Sequence, residues 1–317
     1  MHVPADAAIL RRLRRGEFIP AADLPDPTRI PALIAAGYEI EHHPHLGYRL
    51  LTSPDRLIAD DILSRLPDDA GRWVRDILVF QSTSSTNDII TALARDGAPA
   101  GIAAFAEEQT AGRGRLGRQW QSPPGLGLWF SLLLRPDLPI AEWPRLTLWL
   151  ACALARAIRE HTPVDIMLKW PNDLYLGGRK LAGILVETSL GESPFATAGI
   201  GLNVNHAAFP PPLDTTATSL RIHTGAPLDR NALAASILTS IGQSLPLLGT
   251  HFADILKWAR GADCLRGRQV SATAGSTTYY GVALGLDPGG ALLLRTPAGD
   301  TVRVTSGEVT RFSASPA

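Results

Sequence analysis

Two cysteines in 317 residues, Cys152 and Cys264, are too few for a disulfide framework or a zinc site. Both lie among apolar neighbours and read as buried, inert thiols. An excess of charge of one sign is also missing, since 30 lysines and arginines face 30 aspartates and glutamates. No global basic field therefore recruits nucleic acid or membrane, and any polyanion site has to be local. No apolar run reaches spanning length and no signal-peptide pattern opens the chain. A cytoplasmic protein with no membrane partner is expected. What is plentiful is glycine and proline, 29 and 25 residues, which predicts many turns. The length suggests two or three domains, and 45% hydrophobic residues can fill a sizeable core.

The most distinctive stretch is residues 112–120, GRGRLGRQW. Gly112, Gly114 and Gly117 are interspersed with Arg113, Arg115 and Arg118 ahead of Trp120. Glycine permits positive φ and close backbone approach, so successive N–H groups can converge on one anion. Arginine adds always-protonated, bidentate donors for carboxylate or phosphate. The segment makes a poor helix and a poor strand, and burying it would strand its charges. Two readings stand at this point. One is a loop that closes over an anionic ligand, with Trp120 stacked on a base. The other is a solvated basic turn, or an Arg-Gly contact to RNA.

Ahead of this loop, residues 5–15 predict a short helix, and 21–24 and 30–36 two further short apolar segments. Residues 38–42 and 47–51 read as two β runs. Helix, helix, helix, hairpin is the order of a winged helix-turn-helix. Pro25, Pro27 and Pro31 interrupt the place where a recognition helix belongs, and only Thr28 and Arg29 could reach base edges there. His42, His43 and His45 have metal-like spacing but no carboxylate or cysteine to complete a ligand set, so no metal is assigned. A linker helix is expected within 53–66, ended by PDDAGRW (67–73).

From Ile77 strands and helices alternate. Residues 77–80, 102–106 and 128–134 predict strands, and 144–161 a long helix. SSTN (84–87) either caps a helix running to about Arg95 or holds a polar ligand at its free N–H groups. In KWPNDL (169–174), Pro171 forces a sharp turn that projects Asn172 and Asp173. Residues 179–187 and 198–205 predict strands whose glycines let a ligand approach. Helices follow over 228–248 and 252–260. After Leu265, four short strands with DPGG and PAGD turns suggest a small barrel.

Together SSTN, QTAGRGRLGRQW, KWPNDL, RKLAGIL, GIGLNVN, ATSL (217–220) and SGEV (306–309) resemble the biotin–protein ligases, the family that includes the bifunctional ligase and biotin-operon repressor of bacteria. The likeness runs from about Ile77 to the C-terminus. It implies an α+β chain of three parts: a degenerate winged helix-turn-helix with its linker (1–66), a mixed-sheet ligase domain (67–264) and an SH3-like barrel (265–317). It implies ATP, biotin and Mg²⁺ as cofactors, biotinyl-5′-AMP as intermediate, and a lysine of a biotin carboxyl carrier protein as acceptor. Biotin contacts would come from Ser85, Thr86, Asn87, Gln109, Gly112, Arg113, Gly114, Arg115, Lys180 and Gly183. ATP contacts would come from Arg115, Arg118, Trp120, Lys169, Asn172 and Asn203. Lys180 and Arg115 would be catalytic, with Lys180 bridging the biotin carboxylate and the α-phosphate. Asp173 either guides the acceptor lysine or caps its turn. The shortened N-terminal region leaves operator DNA binding weak or absent, and a homodimer is compatible with the resemblance. A biotin-responsive repressor and, less well supported by the arginine-glycine loop, a lipoate ligase are the alternatives.

Overall fold

A computed structural model describes residues 5–68 and 73–312; the turn expected to end the linker helix, 67–73, falls mostly outside them. The chain begins with helix α1 (Ala5–Leu13), two single-turn 3₁₀ segments (Ala21–Asp23 and Pro27–Arg29) and helix α2 (Ile30–Ala35). An antiparallel hairpin of β1 (Glu39–His43) and β2 (Gly47–Thr52) follows. Ile9, Leu10, Leu13, Ile30, Leu33 and Tyr38 form a small core of their own. Helix α2 has only six residues, as the prolines require. The histidines sit on the hairpin: His42 stacks on Tyr48, and His43 Nδ1 accepts from the amides of His45 and Leu46.

The linker helix expected within 53–66 is present and occupies the second half of that stretch. Only α3 (Ala59–Arg65) is helical, because the preceding residues are held extended by side chains from elsewhere. Leu57 N donates to Glu107 Oε1 (2.6 Å) and Ile58 N to Asn231 Oδ1 (3.0 Å).

The centre is a mixed seven-stranded sheet, entered by β3 (Asp76–Thr83), helix α4 (Thr86–Arg95), β4 (Ile102–Gln109) and β5 (Gly127–Leu134). Helix α5 (Arg145–His161) then crosses to β6 (Met167–Lys169), β7 (Asp173–Leu176), β8 (Arg179–Ser189) and β9 (Phe195–Asn203). Strand order is β3-β4-β5-β9-β8-β7-β6, with β3 and β4 parallel and the other pairs antiparallel. Helix α4 covers one face against β4, β5 and β9. The other face carries the main core, where Phe105 stacks on Phe130 (4.8 Å) and α5 contributes Leu146, Trp149, Leu150, Leu154 and Ile158.

After the short α6 (Leu220–Thr224), α7 (Arg230–Ser244) packs along α5, capped by Asp229, whose side chain accepts from Ala232 N. The single helix expected over 228–248 is broken by Pro246, which begins α8 (Leu247–Thr250). Helix α9 (Phe252–Gly261) leads to a five-stranded antiparallel sheet. It consists of β10 (Gln269–Ala274), β11 (Thr277–Leu286), β12 (Leu292–Arg295), β13 (Thr301–Val304) and β14 (Glu308–Phe312), in the order β13-β12-β11-β10-β14. Trp170 Nε1 donates to Gly290 O (3.0 Å), so this sheet docks against the KWPND turn. Among the described residues no helix is long and apolar enough to cross a membrane.

Beneath β4 lies a buried ion pair that joins distant parts of the chain. Arg230 of α7, 1% exposed, donates from Nη1 to Glu107 Oε2 (2.7 Å) and from Nη2 to Glu107 Oε1 (3.2 Å). It also donates to the carbonyls of Gly127 and Asp55. Burial pushes the Glu107 carboxyl up, but hydrogen bonds from Arg230 and from the amides of Leu57 and Gly125 outweigh it and hold it below the usual carboxylate range.

His206, just past β9, is stacked on Phe209 (4.5 Å) and edge-on to Trp129. Burial pushes its pKa from 6.5 down to about 4. Between those values the unfolded chain takes up a proton that the native state refuses, so this residue lowers stability as pH falls through that window. We expect His206→Gln to flatten the drop in denaturation midpoint between pH 7 and pH 5; an unchanged drop would remove His206 as a contributor.

Candidate functional site

The pairing register builds the site's floor. Directly paired residues of an antiparallel sheet share a face. One such row runs Lys169, Asp173, Gly183, Gly201, Trp129 across β6, β7, β8, β9 and β5, and a second runs Leu185, Gly199, Ser131. Both rows lie on the α4 face. Glycine at three central positions leaves a trough where side chains would otherwise stand. A Cβ on Gly199 would lie 2.2 Å from Asn87 Oδ1, and one on Gly201 would lie 2.4 Å from the Trp120 ring.

A cleft lies over this floor. At one end, the start of α4 carries a buried polar chain. Thr86 N donates to Gln109 Oε1 (2.9 Å), and Thr86 Oγ1 contacts Ser131 Oγ (2.6 Å). Ser131 Oγ donates to Asn87 Oδ1 (2.6 Å), Asn87 Nδ2 to Glu187, and Gln109 Nε2 to Ser122 Oγ (3.0 Å). Ser85, at the N-cap, lines the same end without a side-chain cap bond. These donors and acceptors suit a compact polar ring.

The middle of the cleft is cationic. Lys180 Nζ lies 2.8 Å from Asp173 Oδ1 and 5.3 Å from the Trp120 ring centroid. Its backbone is braced on both sides, Lys180 N donating to Thr216 O (2.8 Å) and Thr218 N to Lys180 O (2.9 Å). Arg115 Nη1 donates to Asn172 Oδ1 (3.1 Å), and Asn172 Nδ2 donates to Ile184 O (3.0 Å), so the turn amide holds the loop arginine and the sheet together. Lys169 closes the outer end beside Trp170 and Pro171.

The arginine-glycine segment folds back as a lid. Gly114 N donates to Arg118 O (2.7 Å) and Trp120 N to Gly112 O (2.9 Å). At the tip, Leu116 takes a left-handed conformation (φ 56°) and is 75% exposed, a backbone costing a non-glycine residue about 1–2 kcal/mol. Ion pairs fasten the lid at both margins. Arg113 reaches Asp88 of α4 (2.6 Å) and Glu187 of β8 (3.1 Å), while Arg118 pairs with Glu308 of β14.

Of the residues singled out from the sequence, Ser85, Thr86, Asn87, Gln109, Arg113, Gly114, Arg115, Arg118, Trp120, Lys169, Asn172, Asp173, Lys180 and Gly183 line this one cleft. Two do not. Gly112 turns the lid, its carbonyl taken by Trp120 N. Asn203 is buried with Nδ2 donating to Thr218 O (3.0 Å), where it supports the segment that braces Lys180. The residues overlooked are Ser131, Glu187 and Glu308. Ser131 had a signal, being the lone hydroxyl in the apolar strand GLWFSLLL; the two glutamates become site residues only through contacts distant in sequence.

A glycine trough with a polar ring-binding end, a cationic centre and an arginine lid defines an enzyme site for a small molecule bearing an anionic group. Family models agree. The model described as the Biotin/lipoate A/B protein ligase family matches residues 79–205, and that of the biotin protein ligase C terminal domain matches 266–310. The bifunctional ligase/repressor BirA of Bacillus subtilis is 37% identical over 276 residues, covering 85% of this chain and 84% of that protein. The biotin--[acetyl-CoA-carboxylase] ligase of Mycobacterium tuberculosis is 35% identical over 260 residues, 76% of this chain and 90% of that protein. The biotin protein ligase from Aquifex aeolicus in complex with biotin and ATP superposes with a TM-score of 0.66 at 31% identity, covering 75% of this chain and all of that one. The chain belongs to the biotin protein ligase family.

Proposed function

We propose that this ligase activates biotin with ATP to biotinyl-5′-AMP and then transfers biotin to a lysine of a biotin carboxyl carrier protein. The observation that carries the reading is Lys180, braced at the centre of the cleft between the polar end at α4 and the nucleotide-suited group of Trp120, Arg115 and Asn172. The biotin ligase relatives, and the biotin and ATP bound to the Aquifex neighbour, support the same chemistry.

In the first step a biotin carboxylate oxygen attacks the α-phosphorus. Two anions must meet, so cations contacting both lower the barrier most. Lys180 can bridge them and Arg115 can hold the phosphate from above. The polar chain of Thr86, Gln109, Ser131 and Asn87 offers the donors and acceptors that a ureido ring requires. Adenine would lie against Trp120, with Asn172 reading its edge. Mg²⁺ would enter on the nucleotide, since it favours phosphate and water oxygens. The cleft's own carboxylates, Asp173 and Glu308, are each already paired with a cation and make no dedicated cage.

In the second step the acceptor amine attacks the acyl carbon and AMP leaves. Once Lys180 engages the ligand, Asp173 is released to accept a hydrogen bond from the incoming lysine. The lid keeps water from the mixed anhydride until then. The test is biotin-dependent exchange of pyrophosphate into ATP, followed by mass spectrometry of a carrier domain. Exchange supported by lipoate instead of biotin would overturn the proposal.

The N-terminal unit is proposed to have no strong operator-reading role. Besides the short α2, four of its arginines spend their charge on carboxylates: Arg11 on Asp68, Arg14 on Asp61, Arg29 on Asp6 and Arg49 on Glu41. Phosphate contacts supply most DNA affinity, and they need free cations. A gel shift with the protein's own promoter at moderate salt should remain unbound; tight, sequence-specific retardation would reverse this reading.

A further inference from the structure

Glu187 of β8 joins the polar end of the cleft to the lid through a single atom. Its Oε2 accepts from Asn87 Nδ2 (2.5 Å) and from Arg113 Nη2 (3.1 Å). Asn87 lines the cleft and is buried, whereas Glu187 lies in an adjoining groove with Asp88 and Arg113. Asn87 cannot move aside, because its amide seats directly on the sheet: a Cβ on Gly199 would lie 2.2 Å from Asn87 Oδ1. The carboxylate therefore touches no ligand in the cleft and acts on one only through its two donors.

Counting protons shows what that action is. An ionised carboxylate only accepts, so Asn87 must turn its Nδ2 to Glu187 and its Oδ1 to Ser131. Ser131 spends its one hydroxyl proton on that oxygen, and its 2.6 Å contact to Thr86 Oγ1 then needs the proton of Thr86. Thr86 has none left for Gln109 Oε1 at 3.1 Å, which is served by Thr86 N at 2.9 Å instead. Every hydroxyl and amide proton along Thr86, Ser131 and Asn87 thus points toward Glu187, and aligned donors polarise one another. A neutral glutamine at 187 would lift this constraint. Its amide could donate to Asn87 Oδ1, Asn87 to Ser131, Ser131 to Thr86 and Thr86 to Gln109, which satisfies the same contacts with every proton reversed.

We propose that Glu187 is a positioning residue that fixes the donor direction of the ring-binding chain and, through Arg113, ties closure of the lid to it. This rests on the reading above that a biotin ring occupies this end of the cleft. A ring that must find donors and acceptors in set places is recognised best by a chain with one direction, since a chain free to reverse presents the wrong polarity part of the time. The same carboxylate oxygen anchors the second residue of the lid. A ligand that holds the Asn87 amide in place therefore also holds the oxygen on which Arg113 rests, and recognition of the ring and retention of the adenylate share one support.

The full-length protein would be compared with Glu187→Gln, Ser131→Ala and Arg113→Ala, and with the two double variants that combine Glu187→Gln with each of the others. Three quantities are read: biotin affinity by calorimetry without nucleotide, KM for ATP in pyrophosphate exchange at saturating biotin, and the rate at which biotinyl-5′-AMP escapes from the protein. For Glu187→Gln we expect about a 10-fold loss of biotin affinity, the low end for a charged hydrogen bond because the carboxylate is partly exposed, with KM for ATP within about threefold. Adenylate escape should quicken. With Ser131→Ala the loss of biotin affinity should fall short of the product of the two single losses, and with Arg113→Ala the gain in escape rate should do the same, as groups acting in one chain require. Unchanged biotin affinity in Glu187→Gln, an equal loss for biotin and ATP, or effects that multiply in either double variant overturn the assignment. If the unaltered protein binds no biotin at all, the ligase reading itself fails, a result separable from any of these.

Discussion

Lys180→Ala is expected to lower biotin-dependent pyrophosphate exchange by a factor of about 10²–10³ or more, the cost of losing one preorganised contact to developing charge. The lysine is braced through its backbone by Thr216 and Thr218 and through its side chain by Asp173, so its position is not negotiable by a neighbour. The substitution also leaves Asp173, whose side chain is 14% exposed, without its counter-charge. Some stability should therefore be lost, about 1–3 kcal/mol for a half-buried pair. A double variant, Asp173→Asn with Lys180→Ala, separates the two effects. Its melting temperature should recover part of the loss while exchange stays absent. Near-normal exchange in Lys180→Ala would remove this residue from the mechanism and require Arg115 to bridge the two anions alone.

The second large effect concerns stability. Glu107→Ala should destabilise the protein by about 3–5 kcal/mol, the usual cost of leaving one member of a buried ion pair unpaired. For a chain of this size that corresponds to a drop in melting temperature on the order of 10 °C. The reason is not only Arg230, which would keep a guanidinium at 1% exposure with no anion in bonding reach except the distant Asp55 carboxylate at 3.7 Å. The amides of Leu57 and Gly125 also lose their acceptor. Glu107→Gln should cost less than Glu107→Ala, because the amide oxygen still accepts. Removing Arg230 as well should not add a second full penalty, since the two act as one unit. A change of less than about 2 °C in calorimetry would mean that solvent reaches the pair after all.

Local signals carried much of the α/β reading. The polar SSTN run ahead of α4, the apolar periodicity of α5 and the alternating glycines of the lid are each local to a few residues, and each element forms close to where those residues predict it, although Ser85 makes no side-chain cap bond. Strand β7 was hidden inside the KWPNDL turn, since four residues after a proline hold too little pattern; it exists because β6 and β8 flank it. Strand β14 is similarly supported by β10. Linker residues 53–58 are drawn away from helix by Glu107 and Asn231, 50 and 173 positions distant in the chain. No window of sequence contains that competition. The same limit applies to the cleft: its cations and its polar start were legible as residue types, whereas the ion pairs to Glu187 and Glu308 and the withdrawal of Asn203 to Thr218 depend on the assembled sheet.

The glycine trough inverts the usual logic of a mutational scan. In an ordinary sheet interior, the harm of a substitution grows with the volume removed, and alanine is the common reference for damage. At Gly199 and Gly201 the harm begins with the first carbon added, because the Asn87 amide and the Trp120 indole already seat against the bare backbone there. Clearances grade the effect: 2.2 Å to the Asn87 carbonyl oxygen at Gly199, 2.4 Å to the Trp120 indole at Gly201 and 3.1 Å to the same ring at Gly183. Tolerance to alanine should rise in that order, least where a hydrogen-bonded amide blocks the way. A complete substitution map would thus trace, as a band of forbidden methyl groups, where the Asn87 amide and the Trp120 ring seat against the sheet.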